Sequence, residues 1–235
     1  MTQYHVLIPS AGSGSRMQSV APKQYLPLNG KPILRHAIDT FEAIPAISRI
    51  FIVTAPEDAY WSDDLLQDCH KTQVLSCGGD SRAASVYQGL QVMASYIDRD
   101  DWVLVHDGAR PGVDAVMVQR LIDAIRPTDV GGLLALPLAD TLKRADTTQH
   151  VAETVPREAL WQAQTPQMFK AGMLQHALAT HLHRQPTDEA QAMEWAGHAP
   201  KLVLGDLKNL KITYPHDVAV VSALMQAMQS EQDAE

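Results

Sequence analysis

The chain reads Ser10-Ala11-Gly12-Ser13-Gly14-Ser15-Arg16-Met17, then Pro22-Lys23, directly after the apolar run Tyr4–Pro9. Small residues let backbone N–H groups approach anionic oxygens without interference from a Cβ. A Rossmann dinucleotide loop wants a third glycine where Met17 stands, and a Walker A loop wants Ser or Thr after Gly30-Lys31, where Pro32 stands. Neither motif fits. Arg16 and Lys23 add two cations beside the exposed amides, which suits two or three phosphates in a row better than a dinucleotide. A plain tight turn is the other reading of the glycines.

A second candidate is Asp107, at the end of the apolar run Val103-Leu104-Val105. A carboxylate at the carboxyl end of a parallel strand points into the crevice where ligands bind. There it is a candidate ligand for Mg²⁺ or for the ribose of a nucleotide. The alternative is an Asp that caps the following turn. His176, His181 and His183 lack the His-Glu-x-x-His pattern and a carboxylate partner, so they read as a solvated helix face. Cys69 and Cys77 are too few for a disulfide framework or a zinc site.

The elements that must carry these groups alternate in type. Tyr4–Pro9, Ile50–Thr54, Gln73–Ser76, Trp102–His106 and Gly132–Leu136 read as strands buried on both faces. Between them Ile33, Leu34, Ala37, Ile38 and Phe41 keep helical spacing, Ala84, Tyr87, Leu90 and Val92–Met93 do so less strictly, and Val116, Leu121, Ile122 and Ile125 mark another helix. This order predicts βαβ units in a mainly parallel mixed sheet with helices on both faces, a Rossmann-like three-layer α/β/α fold. Residues 137–156 break the rhythm and read as an inserted β-arm. Beyond it come helices from Ala171 and from Asp188, a strand at Lys201–Leu204, a short strand at Leu210–Thr213, a last helix from near Pro215, and a polar, fraying tail at Ser230–Glu235. The expectation is a single domain over residues 1–235.

With 235 residues, 46% hydrophobic and 20% charged, the composition is that of an ordinary globular protein. A formal charge of −8 argues against a nucleic-acid binder, while a local basic pocket would suit a small anionic ligand. The start lacks a basic segment followed by a long apolar one, and the longest apolar run, Leu133–Ala139, is too short to span a bilayer. The expected setting is the cytoplasm, away from membranes, and the length leaves no room for a second fused enzyme domain.

These motifs together resemble those of the 2-C-methyl-D-erythritol 4-phosphate cytidylyltransferases, within the wider sugar-phosphate nucleotidyltransferase group. The resemblance runs from Ala11-Gly12-x-Gly14-x-Arg16-Met17 and Pro22-Lys23-Gln24-Tyr25 through Gly78-Gly79-x-x-Arg82-x-x-Ser85-Val86-x-x-Gly89-Leu90 and His106-Asp107-Gly108-Ala109-Arg110-Pro111. It continues at Asp140-Thr141, Arg157 with Leu160-Trp161, Thr165-Pro166-Gln167, Thr187-Asp188-Glu189-Ala190 and Asn209-Leu210-Lys211. Departures are small: Ser10 replaces a common Ala, and Leu210 a common Ile.

The resemblance implies attack of a sugar-alcohol phosphate oxygen on the α-phosphorus of CTP, with Mg²⁺ assisting and pyrophosphate leaving. Anion then meets anion, so catalysis rests on positioning and charge neutralisation rather than on a protein nucleophile. Arg16, Lys23 and Lys211 are the implied catalytic cations. Ala11, Gly12, Gly14, Gly79, Asp80, Ser85 and Asp107 would hold CTP, and Arg110, Thr141, Arg157, Thr165 and Thr187 the acceptor phosphate. In that family Thr141 and Arg157 sit on an arm that crosses to a second subunit, which implies a homodimer. Ribitol 5-phosphate as acceptor, and a nucleotide-binding module without turnover, are the competing readings. Gly108-Ala109, Ser85-Val86 and Thr187-Asp188-Glu189 favour the methylerythritol group, and the four charged groups Arg16, Lys23, Asp107 and Lys211 disfavour the inactive module.

Overall fold

The computed structural model describes residues 2–12 and 21–232, with side chains to residue 227. Gly14, Arg16 and Met17 therefore lie outside the described residues, as does the end of the polar tail. In chain order the elements are β1 (Tyr4–Pro9), β2 (Pro27–Leu28), β3 (Lys31–Pro32), α1 (Ile33–Ala43), β4 (Ile47–Val53), β5 (Thr72–Leu75), α2 (Arg82–Met93), β6 (Trp102–Val105) and α3 (Ala115–Ala124). There follow β7 (Gly131–Pro137), β8 (Leu142–Ala145), β9 (Val151–Val155), β10 (Trp161–Lys170), α4 (Ala171–His181), α5 (Glu189–Trp195), β11 (Lys201–Leu204) and α6 (Asp217–Gln232).

Seven strands form one sheet in the order β11-β7-β10-β6-β1-β4-β5. Every pairing is parallel except those of β10, which runs antiparallel to both β6 and β7. Successive strand residues go to opposite faces. Val6, Ile8, Ile50, Ile52 and Leu104 pack with Leu34, Ile38 and Phe41 of α1 and Val118 and Leu121 of α3. Leu7, Phe51, Val53, Val103 and Val105 pack with Val86 and Leu90 of α2 and Leu174 and Leu178 of α4. Burial on both faces is why these strands lack a polar–apolar alternation. A third, smaller cluster of Leu28, Ile33, Ile212 and Val221 seats α6 against the β2–β3 hairpin.

From β1 the chain moves to β4 on one side, and after β5 it returns through α2 to β6 on the other. The loops leaving β1 and β6 therefore diverge, which opens a crevice at their carboxyl ends. Residues 137–156 hold a two-stranded ribbon, β8 paired with β9, that lies outside the main sheet and is almost wholly exposed.

Three sequence expectations need correction. β10 carries no apolar run, because Gln162, Gln164, Pro166 and Gln167 interrupt it, and it went unread as a strand although it lies inside the sheet. Leu210–Thr213 is irregular rather than a strand; the backbone bond from Ile212 N–H to Ala109 O, at 2.9 Å, ties it to the turn after β6. Val116 is 66% exposed, and α3 turns Met117, Val118, Leu121 and Ile122 inward instead.

Candidate active site

At the crevice lies a cavity of about 840 Å³. Its wall is built from Ser10–Gly12, Lys23 and Gln24, the turn from Gly78 to Arg82, Asp107 to Ala109, and Lys211. These pieces are stitched to the strand ends: Ser10 N–H donates to Val53 O, and Gly78 N–H to Thr54 O, each at 2.7 Å. A Cβ on Gly78 would collide with the side chain of Ala11 and the Thr54 carbonyl, so only glycine lets the two loops meet here.

The buried Gln24 fixes the stem of the first loop. Its Nε2 donates to Ser10 O at 2.7 Å and to Gly12 O at 3.1 Å. In a trans peptide the next N–H points opposite to its carbonyl, so Gln24 also sets the direction of the Ala11 amide. Lys23 stands on the cavity wall with Nζ donating to Ile212 O at 2.8 Å, beside Lys211 in the chain. Across the cavity, Ser81 caps α2 by accepting from Ala84 N–H. The buried Ser85 hydroxyl accepts from Gly79 N–H at 3.1 Å and donates to Ser81 O at 2.9 Å, which shapes the turn that carries Asp80.

Asp107 is the electrostatic centre. Its Oδ1 accepts from Arg82 Nε at 2.8 Å, and its Oδ2 lies 2.8 Å from Lys211 Nζ and 3.5 Å from Arg110 Nε. Arg82 in turn makes a bidentate pair with Glu189, at 2.6 and 3.0 Å. Burial disfavours the Asp107 carboxylate, but Arg82, Lys211 and Arg110 outweigh it and hold the pKa well below the usual carboxylate value. Burial likewise works against both charged partners of the Arg82–Glu189 pair: Glu189 and Asp107 overcome it for Arg82, whereas at Glu189 burial outweighs Arg82 and raises the carboxyl pKa. Three cations face two carboxylates in this network, and Lys23 adds another cation to the wall. The site is a net positive pocket in an acidic chain, suited to a polyphosphate.

Beneath Asp107 a polar network ties the turn to β10, with Asn209 Oδ1 and Arg110 Nε left without a hydrogen-bond partner. Asp107 N–H donates to Thr165 Oγ1 at 3.0 Å, and Thr165 sits where the β10–β7 register breaks between Ala163 and Gln167. Asn209 Nδ2 donates to Thr165 O at 2.7 Å, and Arg110 donates to Asn209 O at 2.8 Å. His106 is fully buried; burial pushes its pKa down to about 4, against the pull of Asp107, and leaves the ring neutral at ordinary pH.

The cavity thus gathers Ala11, Gly12, Lys23, Gly79, Asp80, Ser85, Asp107 and Lys211. Arg110 and Thr165 lie buried behind Asp107 rather than on the wall. Thr141, Arg157 and Thr187 are exposed and outside the wall; Arg157 donates to Ala139 O at the base of the arm, and Thr187 N–H to Gln191 Oε1. Arg82, Glu189, Gln24 and His106 carry structural weight that the sequence reading did not assign, although each stands inside a quoted motif. Glu189 had no local signal, since it follows Asp188, an ordinary helix N-cap.

Comparison with known proteins gives a consistent picture. Residues 4–227 match the family described as 2-C-methyl-D-erythritol 4-phosphate cytidylyltransferase. The protein of that name from Ralstonia nicotianae is 52% identical over 228 residues, covering 93% of this chain and 90% of the relative. Its counterpart from Chromobacterium violaceum is 51% identical over 221 residues, covering 94% and 97%. A crystal structure of 4-diphosphocytidyl-2C-methyl-D-erythritol synthase superposes with a TM-score of 0.85 at 37% identity, covering 96% of this chain and 99% of that one. The Francisella tularensis 2-C-methyl-D-erythritol 4-phosphate cytidylyltransferase gives 0.79 at 33% identity, covering 95% and 100%.

Proposed function

The chain belongs to the 2-C-methyl-D-erythritol 4-phosphate cytidylyltransferase family, and we propose that its cavity is the donor half of a site completed by the arm of a second copy. The enzyme transfers the cytidylyl group of CTP to 2-C-methyl-D-erythritol 4-phosphate in non-mevalonate isoprenoid synthesis. An acceptor phosphate oxygen bonds to the α-phosphorus, the α–β bridge breaks, and pyrophosphate leaves. The observation that carries the site reading is the Asp107 hub, with Lys211 held at 2.8 Å from it on the wall of the cavity that Ser10–Gly12 also lines.

In this reading Lys23 and Lys211 neutralise the triphosphate and the charge that develops on the leaving group. Arg16, a few residues before Lys23 in the chain, has the same role by its place in the motif. The Gly79–Ser85 turn receives the base. Asp107 orients Lys211, while Arg82, itself paired with Glu189, holds Asp107.

A divalent cation fits this pocket in one form only. Among the described residues no group of three His, Cys, Asp or Glu side chains forms a metal cage. Mg²⁺ commonly binds through one carboxylate together with substrate phosphates. Asp107 is that carboxylate, and the ion would supply charge neutralisation at the phosphates. The acceptor phosphate is taken by Thr187 and by Thr141 and Arg157 from the partner's arm, with Arg110 and Thr165 supporting the site from behind Asp107. Small anions are the partners, rather than nucleic acid, as the charge of −8 supports. No helix among the described residues is long and apolar enough to cross a membrane, and Cys69 and Cys77 are free thiols, which agrees with a cytoplasmic setting.

The test follows pyrophosphate release with Mg²⁺, CTP and methylerythritol phosphate. Lys23→Ala and Lys211→Ala lower kcat by about 10²–10³ while the protein stays folded. An equally active Lys211→Ala variant removes that residue from the mechanism.

A further inference from the structure

His106 is fully buried and does not line the cavity, yet it touches both ends of the turn that presents Asp107 and Arg110. At one end Thr165 Oγ1 accepts from Asp107 N–H at 3.0 Å and lies 3.1 Å from His106 Nδ1. A hydroxyl that accepts one bond keeps its own proton to donate, and Nδ1 receives it. The protonated ring nitrogen is then Nε2, which lies 3.1 Å from Arg110 O at the other end of the turn. Arg110 N–H closes the turn on Asp107 O at 3.0 Å. Phe41 stands against the imidazole at 5.2 Å in a T-shaped contact and limits its rotation. Lys211 depends on the same turn, because Ile212 N–H donates to Ala109 O.

We propose that His106 is a positioning residue for cytidylyl transfer, bracing both ends of the Asp107–Arg110 turn and so setting where Asp107, Arg110 and Lys211 stand. The two ring nitrogens have different partners, and so different duties. Nδ1 acts through Thr165 on the Asp107 amide, and Nε2 anchors the Arg110 carbonyl. Thr165 is then a link inside the scaffold, and its hydroxyl has no proton left to donate to the acceptor phosphate. The proposal rests on the reading of Asp107 and Lys211 as site residues.

Two isosteres separate the duties. Asn places a polar atom near the position of Nδ1, and Gln places one near that of Nε2. Both His106→Asn and His106→Gln are assayed for kcat, for both KM values and for thermal unfolding. His106→Gln loses about 100-fold in kcat, with smaller changes in KM, because the Asp107 end is released. His106→Asn recovers kcat to within about fivefold of the unaltered enzyme. Near-normal kcat in both variants overturns the brace, as does a fall in unfolding temperature with kcat intact. Thr165→Val tests the same link without touching the ring: it reproduces the kcat loss, and combining it with His106→Gln adds no further loss. A rise in acceptor KM alone in Thr165→Val overturns the proposal, since the hydroxyl would then contact the acceptor. Asp107→Asn is the control for the premise. Full activity there removes the site reading, whereas an inactive Asp107→Asn beside a fully active His106→Gln removes only the brace.

Discussion

The imidazole of His106 links the chemistry of the site to its stability. In the unfolded chain it binds a proton near 6.5, and in the folded chain only near 4. Between those values the unfolded state holds more protons, so stability rises with pH across the window and falls as the medium is acidified from about 6.5 to about 4. The full shift corresponds to about 3 kcal/mol. His5, lowered by burial, acts in the same direction. The depressed carboxylates Asp107 and Asp101 lose their contribution only below the ordinary value of 3.8, outside this window, while Glu189, raised by burial, acts in the opposite direction to the histidines. Urea unfolding midpoints are expected to drop between pH 6.5 and pH 4.5, and less so in His106→Asn; a flat profile in the unaltered protein would contradict the assignment. At this scale the sequence was legible where a residue's neighbours along the chain announced it. Asp107 ended an apolar strand, and Lys211 stood in a three-residue motif. The partner of Arg82, by contrast, is Glu189, 107 positions away. No local spacing encodes a pair of that kind.

The loops on the cavity wall have little freedom, because β1, β4 and β5 end side by side and their exits are hydrogen-bonded to one another. Gly78 is where the exit of β5 meets Ala11. Gly78→Ala is expected to force the two loops apart, destabilising the protein by about 1–3 kcal/mol as overpacking does, and raising the KM for CTP. Denaturant midpoints together with the CTP dependence of turnover check this, and a variant unchanged in both would show that the contact carries nothing. The strands that frame these loops could be read because each is apolar on both faces. β10 could not, for its glutamines tie down neighbouring segments: Gln167 Nε2 donates to Asp188 Oδ2 at 3.0 Å, and Gln164 Nε2 to Asp206 O at 2.8 Å. A strand that uses its side chains as polar struts hides the periodicity that would reveal it. Leu210–Thr213 misled in the opposite sense, with apolar residues that pack against α6 instead of pairing in a sheet.

For the molecule as a whole, the unpartnered surface lies at one end. Pro137, Ala135, Trp161, Ala163, Leu202 and Leu204 fall on one face of the sheet by the β10–β7 and β11–β7 registers. Of these, Trp161, Leu202 and Leu204 are 39%, 45% and 52% exposed. The β8–β9 ribbon beside them exposes Leu142 and Val151 as well. An apolar strip next to a ribbon with no core of its own is the surface expected of a self-associating chain. Thr141 and Arg157 stand away from the cavity of their own chain, as a site shared between two copies requires. Subunit mixing tests this directly. Arg157→Ala leaves a sound cavity with a damaged arm, and Lys211→Ala leaves a sound arm with a damaged cavity. If the arms cross, a mixed dimer holds one site with both parts intact and one with both damaged. Random exchange makes half of the dimers mixed, so two nearly inactive variants together regain roughly a quarter of normal activity in a two-fold assembly. If each arm served its own cavity, every site in the mixture would carry one defect, and mixing would restore nothing.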